Sequence, residues 1–323
     1  MKANKLYHTI LWFLALSCIL SCSSDDESNG DDSINFRVKE ITETYVNSYS
    51  DRHNKSVLLY NNELLTEIIE YEREDSTWEE EYKSELIYEG EWVSVKDFEK
   101  EGGIWVEDQN WSIRMKIVND RIEILEYSDD NQAVFNYSGD KLIAIQQFYD
   151  GESDFKIEFN YTGNDLQETI AYYYEEGSWK ASMRYKLSYV DGKMMQIMSA
   201  YYDNESWQDS EKQVFTYSGN NIIKIEYYYW YNESWEPSSN KLHFEYNSDG
   251  LLITEREEYS DQYSYVKEYL YEEGRGNFKI FMGINYYNFS YPTPQKPSIK
   301  VLASETYFDK SLIQRFLVKG LPN

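Results

Sequence analysis

From about residue 34 onward the chain alternates apolar and polar positions with a period of two. Ile157, Phe159 and Tyr161 fall on one face of an extended segment, with Lys156, Glu158 and Asn160 on the other. Leu242, Phe244 and Tyr246 repeat this against Lys241, His243 and Glu245, and Met183, Tyr185, Leu187 and Tyr189 against Arg184, Lys186 and Ser188. Such alternation predicts strands with one buried and one wet face. Each run closes on a tyrosine followed by a turn sequence, as in Tyr217-Ser-Gly-Asn, Tyr137-Ser-Gly-Asp, Tyr161-Thr-Gly-Asn, Tyr189-Val-Asp-Gly and Tyr246-Asn-Ser-Asp-Gly. Asp191-Gly192 and Asp249-Gly250 suit type I′ turns; Gly139-Asp140, Gly163-Asn164 and Gly219-Asn220 suit type II′. The tyrosines at 137, 161, 189, 217, 246 and 271 are spaced by 24, 28, 28, 29 and 25 residues. Earlier hairpins turn through Asn61-Asn62, beside Tyr88-Glu-Gly-Glu and at Asn119-Asp120, after a first irregular strand over Phe36–Tyr49.

The outgoing strands alternate less well. Ile223, Ile225, Tyr227 and Tyr229 are opposed by Lys224 and Glu226 but also by Tyr228 and Trp230. A wet-face tyrosine keeps its hydroxyl in water while its ring covers neighbours. A tryptophan opens the incoming strands: Trp78, Trp179, Trp207 and Trp235, in the matching loops Asp75-Ser-Thr-Trp, Glu176-Gly-Ser-Trp, Asn204-Glu-Ser-Trp and Asn232-Glu-Ser-Trp. These rings have two readings. They could stack on sugars, with Tyr202, Tyr228 and Trp230 beside them, or pack on neighbouring units as a structural spine. The first predicts open Trp207 and Trp235 rings; the second predicts buried ones.

The fold class that follows is all-β: a large antiparallel meander of repeated hairpins, curled or barrel-like, with an open, single-layer twisted sheet as the alternative. Repetition places residues 36–291 in one architecture. Tyr291-Pro-Thr-Pro-Gln-Lys-Pro297 is an extended connection, and within 292–323 the last residues form a C-terminal cap over the last repeat's edge.

Composition narrows the function. There are 33 Tyr, 14 Phe and 9 Trp, with 58 acidic against 31 basic residues and a net charge of −27. That charge excludes a phosphate-backbone ligand, so no nucleic-acid partner is expected. Both cysteines, Cys18 and Cys22, lie near the start, leaving the body without a disulfide, thiolate metal site or cysteine nucleophile. His53, in a predicted loop, and His243, on a wet face, have no partner at metal or nucleophile spacing. Asp150-Gly-Glu-Ser-Asp154 is a short acidic loop, not a Ca²⁺ loop. No metal or cofactor site is expected, and no enzyme.

Residues 1–21 read as a secretory signal, with Lys2 and Lys5 before the apolar run Ile10–Leu20. The run ends Ile19-Leu20-Ser21-Cys22, which resembles the bacterial lipobox. The resemblance implies cleavage before Cys22, its lipidation, and membrane attachment without an apolar helix. The mature charge would then be 29 − 58 = −29. Residues 22–35, with Ser23-Ser-Asp-Asp-Glu-Ser-Asn-Gly-Asp-Asp32, form an acidic tether. It resembles the surface-export signal of lipoproteins in some Gram-negative bacteria, so the expected location is the outer membrane, facing outward. The Tyr-x-x-x-Gly-x-Leu/Ile hairpin is similar to the YD repeats of RHS-type surface proteins. Together with the lipobox it resembles an uncharacterised family of Gram-negative surface lipoproteins with a porin-like fold, over roughly residues 36–290. That resemblance carries no functional residues. A lipid-spanning porin does not fit the charged strand faces.

Two functional classes remain. One is a non-catalytic binding module for a glycan or surface protein, using Trp179, Trp207, Trp235, Tyr202, Tyr228 and Trp230. The other is a scaffold whose aromatics serve its own packing. A carboxylate-based glycan hydrolase is the weakest reading, since such a pair is set by geometry rather than spacing.

Overall fold

The computed structural model describes residues 36–275, apart from 47–50, 75, 109–112, 120, 129 and 261–262. The signal segment, Cys22 and the tether lie outside the described residues, as do the last part of the repeat region, the Pro-rich connection and the cap.

The chain forms 19 strands. They are β1 (Phe36–Val46), β2 (Asp51–Asn61), β3 (Leu64–Glu74), β4 (Thr77–Glu89), β5 (Trp92–Glu101), β6 (Ile104–Glu107), β7 (Ile113–Val118), β8 (Arg121–Ser128), β9 (Asn131–Ser138) and β10 (Lys141–Tyr149). There follow β11 (Glu152–Thr162), β12 (Asp165–Glu175), β13 (Ser178–Val190), β14 (Lys193–Asp203), β15 (Ser206–Ser218), β16 (Asn221–Tyr231), β17 (Ser234–Tyr246), β18 (Leu252–Ser260) and β19 (Tyr263–Glu273). Nearly every strand pairs antiparallel with the next, and β19 pairs back onto β1. The sheet therefore closes, which rules out the open alternative. The wall has 18 strands, because β6 is a side branch. The second half of β5 pairs with β6 and its first half with β7.

Closure removes the exposed sheet edges that otherwise invite association. It also decides what faces where. Outside the side branch β6, the apolar rows point inward: Leu65, Met115, Leu125, Leu142, Ile145, Ile157, Ile222 and Ile225 have zero exposure. The charged row points outward, where Lys83–Glu85, Lys116–Glu123, Lys156–Glu158 and Lys224–Glu226 pair at 2.5 to 3.1 Å. This is the reverse of a lipid-spanning barrel, in which Lys or Arg on the wall costs about 2–4 kcal/mol at the bilayer midplane. A round barrel of this strand number would hold a water channel. Side chains with no water against them leave none at this level, so the interior is packed rather than open.

Several turns differ from expectation. Asp150-Gly151 alone makes the turn, with φ of 49° and 74°, and Glu152 to Asp154 belong to β11. The acidic segment is thus mostly strand. The turn after β2 is Asn62-Glu63, one residue later than expected, with Asn62 at φ 55°. Asp249-Gly250 is not a two-residue I′ turn. Five residues separate Tyr246 from its partner Leu252, Gly250 donates its N–H to Asn247 O, and the Asn247 side chain accepts from the Asp249 and Leu251 amides. The asparagine side chain stabilises the longer loop locally. His53 is not in a loop: it lies on β2, with Nδ1 3.2 Å from Thr44 Oγ1 on β1.

Candidate functional site

The two ends of the barrel are built differently. At one end, which we call the tyrosine end, the repeat tyrosines form a belt. Tyr60, Tyr88, Tyr137, Tyr161, Tyr189, Tyr217, Tyr246 and Tyr271 each donate a hydroxyl to a backbone carbonyl of the preceding hairpin, at 2.6 to 3.0 Å. The acceptors are Val38, Leu65, Ile122, Leu142, Leu166, Met194, Ile222 and Leu252. Each acceptor sits beside a β-bulge. A bulge interrupts the regular ladder, and a buried carbonyl left without a donor is costly. The tyrosine of the next hairpin supplies that donor. The β4–β5 pairing has no bulge, and there the position equivalent to the tyrosine is Ile117. Bulge and tyrosine occur together or not at all among the described pairings at this end.

A cation completes several units. Arg37, Arg121, Lys141 and Lys193 lie over the rings of Tyr60, Tyr137, Tyr161 and Tyr217 at 4.3 to 5.5 Å. The same side chains donate to the turn carbonyls of Asn62, Gly139, Gly163 and Gly219. This end is construction.

Toward the other end, the tryptophan end, the inward rows change character. Val93 and Val95 on β5 give way to Asp97, Ile41 on β1 to Glu43, and Leu252 on β18 to Glu255. Asp97 accepts from Ser84 at 2.7 Å, Glu255 from Tyr269 at 3.1 Å, and Lys267 pairs with Glu43 at 2.7 Å. Burial pushes the Glu70 carboxyl up to about 8, reinforced by the negative charges of Glu43, Asp97 and Glu81. Burial likewise raises Asp97 to about 7, against the Ser84 hydrogen bond and with help from Asp108. These groups form an inner polar layer that sequence reading missed. Its signal was present: a charged residue interrupting an apolar row, as in Tyr265-Val-Lys267-Glu-Tyr269. No group of three metal-ligating side chains is assembled among the described residues.

Beyond this layer is the mouth of the barrel. On its outer face, Trp179, Trp207 and Trp235 occupy the second positions of β13, β15 and β17, next to two-residue turns. Asn204-Glu205 and Asn232-Glu233 have positive φ at both residues, the type I′ geometry. Each tryptophan meets an aromatic directly across its hairpin: Tyr174–Trp179, Tyr202–Trp207 and Trp230–Trp235, edge-on at 5.0 Å. Each also stacks on a cation two strands back, Lys156 at 5.0 Å, Arg184 at 4.5 Å and Lys212 at 4.9 Å. Lys156 and Lys212 lie at the same time over Tyr172 and Tyr228. The tryptophans are therefore half-buried against the preceding hairpin.

The rings across from them are more open. Tyr174, Tyr202 and Trp230 are 41%, 42% and 38% exposed. Tyr173, Tyr201 and Tyr229 on the inner side of the same strand ends are also exposed, and Tyr231 more so. Three adjacent hairpins, β12–β13, β14–β15 and β16–β17, thus carry one continuous aromatic lip. Of the residues predicted from sequence, the structure brings Tyr202 together with Trp207 and Trp230 with Trp235. Tyr228 joins Trp235 through Lys212, which lies over both rings.

No family model matches the chain, and no curated protein matches it. Solved structures do. A porin-like protein from Bacteroides uniformis is 8% identical, with a TM-score of 0.38, over 73% of this chain and 98% of that one. A porin-like protein from Bacteroides vulgatus is 10% identical, with a TM-score of 0.36, over 74% and 99%. A protein of unknown function from Bacteroides fragilis is 16% identical, with a TM-score of 0.31, over 37% and 89%. At these values the likeness has no bearing on activity.

Proposed function

We propose that this protein is a non-catalytic binding module held at the bacterial outer surface by a lipid on Cys22. The observation that carries the binding reading is the aromatic lip. Elsewhere the described tyrosines that recur with the hairpin serve packing and bulges, whereas at the lip seven large aromatics stay exposed. Exposed aromatic clusters of this kind mark interaction surfaces. The scaffold reading retains Trp179, Trp207 and Trp235, whose cation stacking joins successive hairpins. The binding role passes to Tyr174, Tyr202 and Trp230. The proposed reading has no catalytic step.

Binding is tested with arrays of bacterial and host surface glycans and proteins. The Tyr202→Ala/Trp230→Ala protein should lose at least about tenfold in affinity for whatever the wild type binds, in line with roughly 1–3 kcal/mol per aromatic contact. Equal binding by both proteins, at unchanged melting temperature, would remove the lip from consideration. Anchoring has its own test. Cys22→Ser should move the protein from the membrane fraction to the soluble exported fraction, since a lipid is the only anchor this reading supplies. Retention in the membrane without lipid labelling would overturn it.

A further inference from the structure

We infer that the lip is a receptor surface for an extended, arginine- or lysine-rich segment of another protein. The inference rests on the binding reading and adds the partner's chemistry. Three observations carry it. First, the three hairpin tips surround their rings with carboxylates, namely Glu175, Glu176, Asp203, Glu205, Glu233 and Glu236. Lys180 is the one cation in these tips, and it lies 3.7 Å from Glu175. An acidic rim repels phosphate and anionic sugars and raises the local concentration of cations.

Second, the barrel itself shows which chemistry these aromatics accept. On the same outer face, Trp179, Trp207 and Trp235 are already stacked on Lys156, Arg184 and Lys212. The contact is electrostatic attraction of a cation to a ring's negative face. Tyr174, Tyr202 and Trp230 stand directly across from these tryptophans, edge-on to them, and remain open.

Third, the anchors repeat along a line. Strands stand about 4.8 Å apart, so successive tips are at least about 10 Å apart and the three span at least about 20 Å. A compact cation fills one tip. An extended chain at about 3.3 Å per residue needs six or more residues to reach all three. Engaging several anchors through one chain multiplies the affinity. The occupant that matches rim charge, ring chemistry and span together is therefore an extended basic segment.

The test is a calorimetric titration of the folded protein with nona-arginine, tri-arginine and a neutral hexasaccharide. Nona-arginine should bind at least about tenfold more tightly than tri-arginine. Tyr202→Ser/Trp230→Ser leaves the net charge unchanged and should weaken nona-arginine at least about tenfold. Glu205→Gln/Glu233→Gln keeps the rings and should weaken it too, with the barrel confirmed intact by circular dichroism. Nona-arginine binding that ignores the aromatic substitutions would be diffuse attraction to a highly acidic protein and would overturn the inference. So would hexasaccharide binding that depends on Tyr202 and Trp230 while nona-arginine does not; in that case the lip remains a binding site and only its proposed partner is wrong.

Discussion

Tyr217→Phe should lower the unfolding free energy by roughly 1–3 kcal/mol, while Tyr202→Phe changes it by less than about 0.5 kcal/mol. Both substitutions remove one hydroxyl and keep the ring. At Tyr217 the hydroxyl donates to Met194 O at 2.7 Å, beside the bulge at Met195. Burial holds this phenol up at about 12, so it stays a donor throughout the working range of the protein. Removing it leaves a buried carbonyl unpaired. Tyr202 is exposed, and water replaces its partner. The effect should accumulate around the belt: Tyr161→Phe/Tyr189→Phe/Tyr217→Phe together should cost on the order of 3–6 kcal/mol. Urea unfolding at constant slope measures both. If Tyr217→Phe is no worse than Tyr202→Phe, the bulge carbonyls do not depend on the belt.

The barrel should also be more stable in mild acid than in mild alkali. Glu70 and Asp97 have folded-state values raised to about 8 and about 7. Unfolding returns them to ordinary carboxylate values near 4. Between those limits the folded state holds protons that the unfolded chain has released. Stability is then fully present at the low end and falls as pH rises toward 8. The loss should be on the order of a few kcal/mol between pH 5 and pH 8.5. Burial sets the direction for Glu70, and the groups that face it reinforce it. Glu43, Asp97 and Glu81 all disfavour its ionisation, and Lys267 is already paired with Glu43. Glu70→Gln/Asp97→Asn should flatten the profile and raise stability at pH 8.5. Surface repulsion varies little over this range, because exposed carboxylates are already ionised at pH 6. A slope that survives the double substitution would assign it to other groups.

How much of this was legible in the sequence differs between the two ends. Most turns, the antiparallel strand order and the apolar row of each repeat strand followed from period-two alternation and from Gly and Asn at positions requiring positive φ. Tyr217 was legible as a repeat marker but not as a hydrogen-bond donor, because a bulge is a mismatch between two strands and neither carries it alone. Trp207 and Trp235 were legible as candidates. Their half-buried state was not, since Arg184 and Lys212 lie more than twenty residues upstream and reach them only across a paired strand. Asp97 interrupts the row of Val93 and Val95, but among 58 acidic residues that signal does not by itself say that the row turns inward.

The sequence by itself determined an antiparallel meander, its hairpin unit and the division of each strand into an apolar and a charged face, since these depend on contacts between neighbours in the chain. From sequence also come the expectations of a signal segment, a lipobox at Cys22 and an acidic tether, which lie outside the described residues. Only the tertiary structure decided that β19 returns to β1, because closure joins residues more than two hundred positions apart. Closure turned the apolar faces inward and packed them, drew Glu70 toward the interior and buried Asp97 and Lys267 where charge is costly, and collected three ordinary hairpin tips into one aromatic, acidic lip.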